Sequence, residues 1–218
     1  MIKSPNMKRL VSSVCVFAVA LGIFSLWPEG RAANSQHRAD HVRWDIISAN
    51  PLPPGDGTHL RANGVASAFA YNTPGTPSSA KIMLTGAGTF VAPASGGGSS
   101  AVAGGGTWET SGAGLPEARG TYRVTKLVDW QFANFQAAVP AFIDEIADGN
   151  TRANGNAVLL IEYDDGTEGM LGVGCHGPGA PNGILEGVIA SKGFLTYWNG
   201  ALPSATVDAN RTVFHVLQ

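Results

Sequence analysis

One three-residue phrase, glycine then threonine then an aromatic ring, comes three times within residues 81–132: Gly88-Thr89-Phe90, Gly106-Thr107-Trp108 and Gly120-Thr121-Tyr122. Each copy sits in or beside a run that alternates apolar with small or polar residues, and glycine- or proline-bearing segments separate the runs. A period of two between such breakers predicts consecutive antiparallel strands. Glycine in mid-strand costs stability, so each copy is expected to mark a bend, a bulge or the close approach of a large neighbouring ring. Three such strands in succession predict a strongly coiled sheet.

The remaining chain extends this pattern. Residues 42–48 read as a first strand with Val42, Trp44 and Ile46 on one face, and 64–71 as a second with Val65, Phe69 and Tyr71 in register. Residues 81–91 and 104–110 follow, then a long strand over 119–132 in which Tyr122, Val124, Lys126, Val128 and Trp130 share a face. Asp165-Gly166 is a tight-turn dipeptide between the apolar runs 157–163 and 168–175. Residues 184–198 form one bent strand or two short ones around Lys192-Gly193, and 211–217 form the last. The segment 134–154 differs: Val139, Phe142, Ile143 and Ile146 recur at helical spacing, with Asp144, Glu145 and Asp148 opposite, which predicts a short helix over 137–147. It is read as a surface insertion, with a plug or lid as the alternative. The expected fold is all-β, a single antiparallel barrel of about eight or nine strands with one short helix; a two-sheet sandwich is the alternative. Strand-centre glycines favour the barrel, because closure demands coiling.

The N-terminal region predicts an address. Lys3, Lys8 and Arg9 precede an apolar run from Leu10 to Trp27, and Ala32-Ala33 follow, the order of a secretory signal peptide. Residues 1–33 are therefore expected to be a leader, against the alternative of a retained anchor, and 34–218 a single secreted or periplasmic domain with no membrane span. Of 14 basic and 16 acidic residues, the leader holds four and one, which leaves 10 against 15 and a net of −5. That balance opposes nucleic acid and anionic membrane surfaces as partners. Cys15 belongs to the leader, so Cys175 is the lone thiol of the mature chain and has no intramolecular disulfide partner.

Chemistry-bearing residues are sparse. Cys175-His176 juxtaposes a thiol and an imidazole, but strand neighbours point to opposite faces, so a buried thiol and a rim histidine outweigh a catalytic pair. His59, His176 and His215, with Glu186 or Asp164, lack every standard metal-ligand spacing, and neither a metal nor another cofactor is expected. No Gly-x-Ser-x-Gly elbow or phosphate-binding loop is present. The pairs Asp164-Asp165 and Asp144-Glu145 read as solvated charge at a turn and on a helix face. The strand aromatics Trp44, Tyr71, Trp108, Tyr122 and Trp130 are the candidate lining of a cavity for one small apolar ligand, against the blander reading that they fill the core.

The succession Trp44-Asp45-Ile46-Ile47-Ser48, the three glycine-threonine-aromatic phrases, Ile161-Glu162-Tyr163, Cys175-His176, Glu186-Gly187 and Phe214-His215-Val216-Leu217 resembles a set of uncharacterised secreted bacterial all-β proteins. The resemblance covers nearly all of the mature chain and implies a bacterial source but no activity. A weaker likeness in fold, carried by about three strands, links the chain to allene oxide cyclase and dirigent barrels. Two functions remain open: an exported barrel that binds a small apolar molecule or another surface component without catalysis, and a cofactor-free cyclase or isomerase in which Glu186, His176, His215 or Cys175 acts in a pocket.

Overall fold

The computed structural model describes residues 39–51, 57–62, 68–73, 79–112, 115–201 and 210–217. The expected leader, and residues 64–67 of the expected second strand, lie outside that set. The protein is all-β, and six antiparallel strands close a barrel: β1 (Asp40–Pro51), β5 (Ala87–Ala92), β6 (Val102–Ser111), β7 (Ala118–Phe135), β9 (Arg152–Tyr163) and β14 (Arg211–Leu217). The sheet continues past the ring on both sides. β4 (Lys81–Leu84) pairs with β6 and leads to β3 (Ala68–Tyr71) and β13 (Asn199–Gly200), while β10 (Glu168–Cys175), β11 (Gly187–Lys192) and β12 (Leu195–Tyr197) extend from β9. Two further strands, β2 (Thr58–Arg61) and β8 (Phe142–Asp144), pair in parallel as a flap joined to the end of β1. Among the described residues no helix is long and apolar enough to cross a membrane.

The three glycine-threonine-aromatic phrases fall on β5, β6 and β7, which are neighbours in the barrel. Close approach is the reason for glycine at two of them. A Cβ at Gly106 would lie 1.9 Å from the backbone oxygen of Thr85, and one at Gly88 would lie 2.3 Å from that of Ala103 and 2.8 Å from the indole nitrogen of Trp44. Backbones cross there at a distance no side chain tolerates. The run 81–91 is two strands rather than one, because the chain leaves β4 at Thr85-Gly86 to pair with β1 as β5.

Alternation places Val42, Trp44 and Ile46 in the barrel core, as expected for β1. In β7 the shared face breaks down. Register shifts between Val124 and Lys126 and between Leu127 and Asp129 turn Leu127 inward, fully buried, and leave Val128 40% exposed. A bulge adds one residue without advancing the ladder, so it inverts the side chains that follow it until a second bulge restores them, and Trp130 packs on the core again. The 157–175 hairpin forms around Asp165-Gly166 as β9 and β10.

Residues 137–147 are not helical; the only helical turn among the described residues is a 3-10 turn over Gly149–Thr151. Local chemistry explains the difference. Asp144 Oδ1 accepts from the backbone N–H groups of Ile146 (3.0 Å) and Ala147 (3.2 Å), and Phe142 N–H turns back to Val139 O. Those bonds compete with a helical ladder that Pro140 has already interrupted. The apolar positions read as a helix face serve another purpose: Phe142 and Ile146 pack on Ile47, Leu60 and Val213, a second small core beneath the flap.

Candidate functional site

The final strand organises the region under the flap. Alternation in β14 sends Phe214 and Val216 into the barrel and Arg211, Val213 and His215 to the outer face. Arg211 pairs in register with Ile47 and His215 with Arg43, so the outer face of β1 continues the same surface. The flap covers it. His215 is therefore fully buried without belonging to the barrel core, and sits beside the flap's Asp144.

Between barrel wall and flap lies a cleft of about 760 Å³. Its walls are largely apolar: Ile47 and Val213 from the barrel, Leu60 and Phe142 from the flap, and Ile184 and Leu185 from the loop after β10. Cys175, His176, Glu186, Gln136 and Arg211 bring polar chemistry to it. Three of the four residues singled out for possible chemistry, Cys175, His176 and Glu186, thus meet in one place; the fourth, His215, does not line it.

Each has a defined state. Glu186 accepts one backbone N–H on each carboxylate oxygen, from His176 (2.5 Å) and Thr212 (2.6 Å), and so ties the loop after β10 to β14. Burial outweighs these two bonds and the nearby Arg211, and pushes its carboxyl up to about 7. His176 is exposed at the cleft's mouth, and its Nδ1 lies 2.8 Å from the carbonyl oxygen of Ile184. A carbonyl only accepts, so Nδ1 carries the proton and a neutral ring offers Nε2 as an acceptor. Cys175 is buried, receives the Gln136 amide on its sulfur at 3.2 Å, and its thiol is pushed well up by burial and by Glu186. It has the character of an inert core thiol, not of a nucleophile.

Arg211 was not singled out by sequence. Its Nε is buried without a hydrogen-bond partner, and among the described residues its guanidinium forms no ion pair. The available signal was its place: an arginine that opens the last strand on the face it shares with Val213 and His215.

A second polar cluster lies deeper. Asp144 Oδ2 stands 3.6 Å from His215 Nε2 and 3.7 Å from Arg152 Nε, and Asp144 Oδ2, His215 Nε2 and Arg152 Nη1 are all buried without hydrogen-bond partners. His215 Nδ1 meets the Thr151 hydroxyl at 3.1 Å, and that hydroxyl donates to Asp148 O at 2.7 Å. Burial lowers the imidazole's proton affinity; Arg43 and Arg152 act in the same sense, while Asp144 and Asp45 oppose them. The reading of Asp144 as solvated charge is corrected: its side chain is 4% exposed, and only Glu145, paired with His59 and Arg61, lies near the surface. Asp164 and Asp165 are engaged at their turn, Asp164 by the Trp108 indole (3.0 Å) and Thr121 N–H (2.8 Å), Asp165 by Lys192.

The five candidate rings do not line the cleft. Trp44, Trp108 and Tyr122 are buried in the barrel core, where Trp108 meets Tyr163 edge-on at 5.7 Å and the Tyr122 hydroxyl donates to Thr85 O at 2.8 Å. Trp130 packs against Phe214 at 4.7 Å and Phe90 at 5.4 Å, and Tyr71 lies half-buried against Phe69 at 5.7 Å. His59, His176 and His215 are engaged by different neighbours, Glu145, Ile184 and Thr151, and among the described residues no group of three or more His, Cys, Asp and Glu side chains is placed to hold a metal ion. Compared with known proteins, the chain matches no family model, no curated protein and no solved structure.

Proposed function

We propose that this chain is an exported, non-catalytic barrel protein that holds a small, mostly apolar molecule in the cleft between the barrel wall and the flap. One observation carries the reading: an apolar-walled cleft of about 760 Å³ into which only a few polar side chains converge. Small-molecule sites have this character and a size of roughly 300–1,000 Å³. The ligand would touch the outside of the barrel, and the strand aromatics would act as its filling. The test is native mass spectrometry of the mature protein purified from its own host, beside an Ala49→Phe variant that narrows the cleft. A retained small molecule that the variant loses supports the reading. A bare protein that also fails to bind apolar probes overturns it.

A second reading, a cofactor-free isomerase or cyclase, rests on Glu186, whose carboxyl titrates at about 7 in the same cleft as His176 Nε2. A group poised near neutrality suits proton transfer in either direction. Here the molecule retained by Glu186→Gln would differ chemically from that retained by the unaltered protein. Recovery of the same compound from both removes the catalytic reading and leaves the binding one.

A further inference from the structure

Resting on the cleft as a ligand site, we infer that its ligand carries a single carboxylate on an apolar body and that Arg211 receives that carboxylate. The polar groups around the cleft are largely committed, and only one strong donor is not. Both oxygens of Glu186 already accept backbone N–H groups, at 2.5 and 2.6 Å. The Gln136 amide gives one N–H to the Cys175 sulfur at 3.2 Å, and His176 Nδ1 donates to the Ile184 carbonyl at 2.8 Å. Arg211 is different. Its Nε is buried with no partner, its guanidinium is in no ion pair among the described residues, and it borders the cleft.

A buried donor left unmade is expensive, and a guanidinium more so than a neutral group. The planar fork matches a carboxylate through two parallel N–H···O bonds, which an alcohol or an amine does not reproduce. Glu186 forms no ion pair with Arg211; the guanidinium draws its carboxyl down from a distance, and burial pushes it up by more. The remainder of the wall, Ile47, Leu60, Phe142, Ile184 and Val213, suits an aliphatic or aromatic body.

The experiment compares three heads on one body: 6-phenylhexanoate, 6-phenylhexanol and 6-phenylhexylamine, titrated calorimetrically into the full mature chain at pH 7. The carboxylate is expected to bind about tenfold or more tightly than the alcohol, the amine most weakly. Arg211→Met, which keeps the stem, is expected to remove that advantage, while Arg211→Lys restores part of it. If the alcohol matches the carboxylate, or the amine binds best, the carboxylate inference is overturned and the cleft stands. If none of the three binds, the cleft reading falls and takes this inference with it. The ranking of heads on the unaltered protein decides the matter even if Arg211→Met does not fold.

Discussion

Replacing Asp144 by Asn is expected to loosen the flap that roofs the cleft. Asp144 is the flap's ionic tie to the barrel: its side chain is 4% exposed and stands 3.7 Å from Arg152 Nε and 3.6 Å from His215 Nε2. Asparagine keeps the Oδ1 acceptor for the Ile146 and Ala147 amides, so the substitution removes charge and little else. What remains is Arg152, 7% exposed in its side chain, with one Nη1 unpartnered and its Nε on the Gly149 carbonyl at 3.1 Å. Breaking a buried pair from one side costs about 3–5 kcal/mol, and the retained turn bonds place this variant near the lower end. At a urea m-value of about 2 kcal/mol/M, a loss of about 3 kcal/mol lowers the unfolding midpoint by about 1.5 M with m unchanged. The pH dependence is a second check. His215 titrates below its unfolded value, so the unfolded chain binds the extra proton; the stability this burial contributes is present above about pH 6.5 and lost as pH falls toward the folded value. Asp144 is a group that holds that folded value up, so Asp144→Asn should widen the window in which stability is lost on acidification. A midpoint shift equivalent to less than about 1 kcal/mol, with an acid limb like that of the unaltered protein, would refute the tie.

Other expectations are narrower. Glu186 titrates above its unfolded value, so its contribution is present below about pH 4.5 and lost as pH rises through about 7; in thermal melts, Glu186→Gln should therefore gain on the unaltered protein as pH is raised across that interval. Gly106→Ala sets a Cβ 1.9 Å from Thr85 O and should cost about 4 kcal/mol or prevent folding, whereas Gly97→Ala, with no atom within 4 Å but φ at +84°, should cost only about 1–2 kcal/mol in equilibrium unfolding. Cys175, buried and with its thiol pushed up, should react with a disulfide reagent only at the rate at which the protein opens; rapid labelling of the native state would contradict that placement.

The period-two signals were legible because they are local. Gly88, Gly106 and Gly120 mark three adjacent barrel strands, Asp165-Gly166 marks their clearest hairpin, and β14 runs where alternation puts it. The bulges of β7 were not, since an inserted residue changes nothing in composition while it reverses which side chains face in. The flap was misread for a related reason. Phe142 and Ile146 recur at helical spacing, but the second small core requires only that two apolar side chains reach Ile47 and Val213, and an aspartate-anchored turn achieves that as well as a helix does. Cys175 and His176 are neighbours in the chain, but that Glu186 joins them in one cleft depends on a loop returning between β10 and β14, which no spacing in the chain records.

The flap also changes what the outer face of β14 is for. In an uncovered barrel, Arg211, Val213 and His215 would be a solvated stripe of one strand, and their polar atoms would be satisfied by water. Covered, the three residues divide the face between them. His215 meets Asp144 of β8, Val213 closes the second core with Phe142 of the same short strand, and Arg211 is left at the cleft that Phe142 also walls. β8 is only three residues long, so a displacement that strains the Asp144 contacts displaces Phe142 as well. A ligand seated against Phe142 and a proton taken up at His215 therefore act on one small element from its two ends. By linkage, occupancy of the cleft should shift the acid limb of unfolding, and Asp144→Asn should weaken that shift.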